Sequence, residues 1–384
     1  MIFRDKKYEM KYKKIGLVLS LLFFAAATLL AQKAKKEVPE SVMNDIYEKI
    51  KTPHKYGLAL VPVENSKKMD CPTVFRKNGQ WYMSYIIFDG RGYETWLAHS
   101  TDLLNWKTTG RILSFTDTTD WDSNQKAGYV GLQDPKWGGS YELQKYDNKY
   151  WMSYFGGNST GYEKGLLSIN MAYTEKDPAV VHEWSRLPKP VLMSTDSNVQ
   201  WWDNHTMYKE TVLWDKKKSL GHPFIMYYNA NGDSVNKKRG AERIGMAFSD
   251  DLKTWTRYKN NPLLDHNIGI TGDPYLQKIG DVWVMFYFGA FWKDKGGAFN
   301  RFACSYDLEN WTEWKGDDLI KSSELYDDMF AHKSCVIKWK GVIYHYYCAV
   351  NKADQRGIAV ATSKDMGKSK LNFIAPPPPK AKKN

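Results

Sequence analysis

The sequence predicts an all-β fold, a five-bladed β-propeller of four-stranded antiparallel blades. Three observations predict it. One turn phrase recurs along the chain, an aromatic strand precedes each copy of it, and strongly periodic helix is nearly absent.

The turn phrase is S-x-D-L-x-x-W. It occurs at Ser100, Asp102, Leu103 and Trp106, again at Ser249, Asp251, Leu252 and Trp255, and again at Ser305, Asp307, Leu308 and Trp311. Degenerate copies are Thr174 and Asp177, with Trp184 further on, and Ser363, Asp365 and Met366. Each follows a short strand of small and apolar residues. Ser and Asp side chains close such turns by accepting hydrogen bonds from nearby backbone N–H groups, and the Trp begins the next strand.

The aromatic strands are "WYMSYIIF" (81–88), "YWMSYFGG" (150–157), "PFIMYYNA" (223–230), "VWVMFYFGA" (282–290) and "VIYHYYCAV" (342–350). A turn and another strand lead into each; before the first, Asn78 and Gly79 are a hairpin signal. The unit is four strands in about 60 to 70 residues, five times over. A two-sheet sandwich would not explain five matching copies. Residues 41–50, "SVMNDIYEKI", are the one good helix candidate.

The ends read differently. Lys11, Lys13 and Lys14 precede the apolar run "IGLVLSLLFFAAATLLA", which closes on Ala31. This is the pattern of an export signal. We expect a signal peptide over 1–31, a lead with a short helix over 32–56, the propeller over 57–372 and a Pro/Lys-rich disordered tail over 373–384. The expected location is periplasmic or extracellular, with no membrane association after cleavage and a monomeric state. Cys71, Cys304, Cys335 and Cys348 have no CxxC spacing and read as buried small apolar residues.

The net charge of +12 is concentrated at the ends: six basic residues against two acids lie before residue 15, and lysines stand at 33, 35, 36, 380, 382 and 383. The body is left near +2, which argues against nucleic acid as a partner. Aromatic residues make up 15% of the chain, an excess that suits flat ligands.

Aligning the five units on their aromatic strands places Asp70, Asp134, Glu210, Asp273 and His332 at the start of the preceding, innermost strand. Each lies roughly nine to seventeen residues before its aromatic strand. A lone Asp there is most often a turn cap, and Asp-Pro at 134 and 273 suits a strand start. Five such residues in register would converge on one mouth of the central channel. Crowded carboxylates repel each other unless they are used, paired or protonated. Sugar cleavage uses them: one protonates the leaving oxygen, and one acts as base or nucleophile on the opposite face. Trp121, Trp202 and Trp292 are candidate stacking surfaces, although aromatics are more often core. Asp203 and His205, in "WWDNH", compete for the third-blade role.

This layout resembles glycoside hydrolase family 43 and its propeller relatives over residues 57–366. The resemblance implies a glycosidase acting on oligo- or polysaccharide, at an arabinofuranoside- or xyloside-like sugar. It implies Asp70 as general base, Asp134 as the residue that tunes and orients, and Glu210 as general acid, with inversion at the anomeric carbon. It puts His332 on the axis, near water or a structural Ca2+; no cofactor is required. Cys71 after Asp70, Thr211 after Glu210 and Asp273 in blade four depart from the family pattern. Fructan-type relatives retain configuration, so that course stays open. A phosphorolytic propeller would need basic residues at the mouth, for which Arg91 is the candidate. A non-catalytic glycan-binding propeller would keep the aromatics without needing acids in register.

Overall fold

The structure is a computed structural model that describes residues 37–117, 119–233 and 240–374. The expected signal peptide, 1–31, and most of the expected tail, 375–384, lie outside the described residues. Among the described residues no helix is long and apolar enough to cross a membrane.

The fold is nearly all β. The expected helix is present as α1 (Glu40–Ile50), which buries Met43, Ile46 and Ile50 against the strands. Strand β1 (His54–Leu60) follows. Then come five antiparallel groups in chain order. The first is β2 (Lys68–Lys77), β3 (Gln80–Phe88), β4 (Tyr93–Ser100) and β5 (Lys107–Leu113). The second is β6 (Gln125–Val130), β7 (Tyr150–Gly157), β8 (Ser168–Thr174) and β9 (Ser185–Arg186). The third is β10 (Thr206–Trp214), β11 (Phe224–Asn231), β12 (Glu242–Ser249) and β13 (Thr256–Arg257). The fourth is β14 (Ile270–Ile279), β15 (Val282–Trp292), β16 (Lys295–Ser305) and β17 (Thr312–Glu313), with β18 (Ile320–Lys321) also on β16. The fifth is β19 (Phe330–Trp339), β20 (Val342–Val350), β21 (Arg356–Thr362) and, returning from the N-terminal side, β1 on β21.

The first strands touch in cyclic order: β2 with β6, β6 with β10, β10 with β14, β14 with β19, and β19 with β2. Apolar layers lie between the groups; Trp81 of β3, for example, meets Tyr141 and Trp339 from the neighbouring groups.

The repeated turn works as its side chains require. In the three full copies the Ser Oγ accepts two backbone N–H groups, and the Asp Oδ1 accepts the next. The Leu at the fourth position takes a left-handed backbone, φ 67, 64 and 69°. Two of these carbonyls serve the preceding group in the ring. Tyr346 donates to Leu103 O at 2.6 Å, and Tyr227 donates to Leu308 O at 2.5 Å.

A second device recurs inside the groups: a Tyr hydroxyl and a cation share one buried carboxylate. Tyr154 and Arg186 meet on Asp122, and Tyr228 and Arg257 meet on Asp203. In the fifth group the cation is Lys55 of β1, 2.5 Å from Asp327, which also accepts from Tyr347. Removing one partner of a buried pair leaves the other unsatisfied. Asp327→Ala is therefore expected to cost about 3 kcal/mol of unfolding free energy in urea titrations. A change below about 1 kcal/mol would show that this pair does not hold β1 in place.

Candidate functional site

Every first strand except β6 carries a bulge near its start. The register slips between Asp70 and Thr73, Met207 and Glu210, Gly272 and Tyr275, and His332 and Cys335. A bulge adds a residue and turns a side chain to a new face. The first extra residues are Cys71, Tyr208, Asp273 and Lys333, and all four line one cavity. Cys71, Asp273 and Lys333 do so with φ of 50, 57 and 65°.

The cavity holds about 230 Å3. Three carboxylate residues line it, Glu163, Glu242 and Asp273, together with the cations Lys209, Lys333 and Arg356. Asp273 is buried; its Oδ2 lies 3.6 Å from Cys71 Sγ, and burial raises its pKa. Lys209 is buried over the Tyr129 ring, 5.3 Å from its centroid. Tyr129 also lines a second, smaller cavity. Phe291, half exposed with a φ of 55°, stands at the rim edge-on to Phe330.

Glu163 sits in the β7–β8 loop. Gln125 donates to the Ser159 and Gly161 carbonyls, and Gly161 N–H donates to Arg91 O at 2.8 Å. Tyr162 is held by Arg356, which donates to its hydroxyl, and packs edge-on against Phe88 and Tyr93. Glu242 opens β12 and is buried; Asn229 Nδ2 donates to its Oε2 at 3.0 Å.

The expected ring of acids is only partly realised. Asp70 is buried behind the cavity wall, its Oδ2 2.8 Å from Lys333 and 3.7 Å from Arg356. Burial would raise its pKa, but Lys333, His332 and Arg356 together hold it well below the usual carboxylate range. Glu210 follows its bulge by one residue. It is fully buried, does not line the cavity, and burial pushes its pKa far up. Asp134 lies beyond the end of β6, where it caps its own turn through Lys136 N–H and Ser140. It does not line the cavity, because the second group's first strand begins nine residues earlier, at Gln125. Asp273 and His332 do line it.

The remaining candidates lie elsewhere. Arg91 donates to Asn124, stacks on Phe115 and does not line the cavity. Trp121 stacks on Tyr154, Trp202 is wholly buried in the core, and Trp292 stacks on His266. Asp203 belongs to the Tyr228–Arg257 device, and the His205 ring meets Thr206.

Sequence reading missed Lys333 because counting along β19 does not reveal the bulge beside His332, and it missed Glu163, Glu242 and Arg356 because it followed first strands alone. In an antiparallel group the third strand starts at the same end as the first, so the β7–β8 loop and the starts of β12 and β21 reach the same mouth. That topological signal could have found those three.

Asp70, His332 and Cys348 bring one ligand atom each within 4.8 Å of one another. The set does not suit calcium, which takes six to eight oxygens. The single carboxylate is already paired with Lys333, and burial keeps the Cys348 thiol protonated.

Burial holds His332 and His345 neutral, each with its pKa pushed down to about 3. Unfolded histidines titrate near 6.5. The unfolded state therefore binds more protons between about pH 3 and 6.5. Stability is full above that window and falls with pH by up to about 1.4 kcal/mol per unit for each histidine. The urea midpoint should drop between pH 6.5 and 4, and less steeply in His345→Gln; an unchanged slope in the variant would refute the assignment.

No family model matches this sequence, and no curated protein matches it. Solved structures do. The sequence is 52% identical to that of BT0996 in its complex with RGII, with a TM-score of 0.86 over 89% of this protein and 100% of that one. A protein described as "Glycoside hydrolase" matches with the same identity, TM-score and coverage. A thermostable family-43 glycoside hydrolase (17% identity, TM-score 0.54, covering 83% of this protein and 97% of that one) shares the fold. So does a family 117 glycoside hydrolase of Zobellia galactanivorans (14%, 0.56, covering 82% and 89%).

Proposed function

Because this protein belongs to the glycoside hydrolases, as its 52% identity to one of them over 89% of its length requires, we propose that the cavity at the shared mouth is its catalytic site. We read the five antiparallel groups as the five blades of a propeller and the cavity as the blind end of its axial channel. One observation carries the reading: carboxylates from different blades, Glu163 and Glu242, line one cavity together with Asp273 and Tyr129. A volume of about 230 Å3 suits one sugar ring rather than a long oligosaccharide. The enzyme would therefore remove a terminal sugar from a polysaccharide side chain. A polysaccharide substrate is supported by the relative in complex with RGII; an arabinofuranoside- or xyloside-like sugar follows from the family 43 resemblance.

The roles follow from surroundings. Glu242 is buried at the start of β12, where the Asn229 amide donates to it and fixes its carboxyl, so we assign it as the base that deprotonates the attacking water. Glu163 is partly buried on a rim loop, the side from which the leaving group departs, and protonates the glycosidic oxygen. Two carboxyls acting on opposite faces in one step invert the anomeric centre. Asp273, its pKa raised by burial, hydrogen-bonds sugar hydroxyls on the floor. Asp70 acts at one remove, fixing Lys333 and Arg356. Export, by the basic and apolar N-terminal pattern, would bring the enzyme to its polysaccharide.

Glu242→Gln and Glu163→Gln are expected to lower kcat on a nitrophenyl glycoside at least ~10³-fold, since each removes an acid–base group. Asp134→Asn should stay within about twofold, because its side chain stabilises a distant turn. The reverse pattern would return catalysis to Asp134. NMR of the first-formed anomer checks inversion.

A further inference from the structure

Asn229 is buried on β11 and lines the cavity. Its amide is used at both ends: Nδ2 donates to Glu242 Oε2 at 3.0 Å, and Oδ1 accepts the Asp273 backbone N–H at 3.2 Å. A backbone N–H can only donate and a carboxylate is an acceptor, so the pair of partners fixes which end of the amide points where. Asp273 is the bulge residue with a φ of 57°; the bulge aims its N–H at the amide oxygen. The space around the amide is tight. A Cβ on Gly272 would lie 2.8 Å from Asn229 Nδ2 and 3.1 Å from its Cγ, so only glycine leaves the amide where it is.

We propose that Asn229 is the positioning residue of the reaction: it aims the Glu242 carboxylate by locking it to the bulged backbone of β14. This rests on the reading of Glu242 as the base. The lock ties two blades together at the site. The β14 bulge sets the amide, the amide sets the carboxylate, and the carboxylate meets the water. A carboxylate that turns about its last bond keeps its charge and its contact with substrate but loses the line of attack, and orientation alone carries a large share of such a rate.

The test compares Asn229→Asp, Asn229→Ala and Gly272→Ala in the full-length protein, with Glu242→Gln alongside, using one nitrophenyl glycoside and a thermal melt of each variant. Asn229→Asp keeps the shape but sets an acceptor against the Glu242 oxygen. It should lower kcat about 30- to 300-fold on the scale of misplaced catalytic groups, with KM within about threefold. Gly272→Ala, which displaces the amide from behind, should lower kcat about tenfold in the same sense even if Asn229→Ala folds poorly. A folded Asn229→Asp with turnover near that of the natural protein, beside an inactive Glu242→Gln, would overturn the positioning role alone. A rise in KM at unchanged kcat would make Asn229 a binding residue and also overturn it. An active Glu242→Gln would overturn the reading of the site beneath it, and this inference with it.

Discussion

The buried ion cluster around Asp70 is the constraint from which the rest of the site follows. Asp70 is on β2 of the first group; Lys333 and Arg356 are on β19 and β21 of the last. The cluster therefore sits at the seam where the ring of strands closes. Taking these charges out of water is costly unless each finds its partner, so the seam has one register in which it closes. Once closed, Arg356 points at the Tyr162 hydroxyl, and the loop that carries Glu163 is held from the far side of the mouth. Asp70, which read as the base in sequence, pairs in the structure with Lys333 and lies near Arg356, two residues that line the cavity.

The seam has a second fastening further out. Strand β1 adds to β21, and Lys55 delivers to Asp327 the cation that Arg186 and Arg257 supply within their own groups. The same chemical device, Tyr with a cation on one carboxylate, is thus used locally in two groups and across the termini in the fifth. The repeated Ser–Asp turn adds a parallel link, since its left-handed Leu presents a carbonyl to a Tyr of a neighbouring group.

Bulges decide what faces the cavity. A regular strand would send Asp70, His332 and their neighbours alternately to the two faces. The extra residue instead turns Cys71, Tyr208, Asp273 and Lys333 toward the axis. Counting back from the aromatic strands could reach the neighbourhood of each bulge but not its phase, and an error of one residue exchanges a cavity wall for a buried core. Asp273 was reached directly, Asp70 and His332 stand one residue before their bulges, Glu210 stands just after its own, and Asp134 falls beyond a strand that carries no bulge at all.

What the amino-acid order determined by itself was local and repetitive. The Ser–Asp turns, the aromatic strands, the helix at Glu40–Ile50 and the all-β class are written in spacing and side-chain chemistry over a few residues, and periodicity reveals them. The carboxylate chemistry of the mouth was legible as a class for the same reason. Tertiary structure alone decided which carboxylates reach the cavity. Glu163 comes in on a loop held by Arg356 from across the seam, and Glu242 is aimed by an amide locked to another group's backbone. Those assignments depend on contacts between groups far apart in sequence, and on the phase that each bulge adds, which no local pattern encodes.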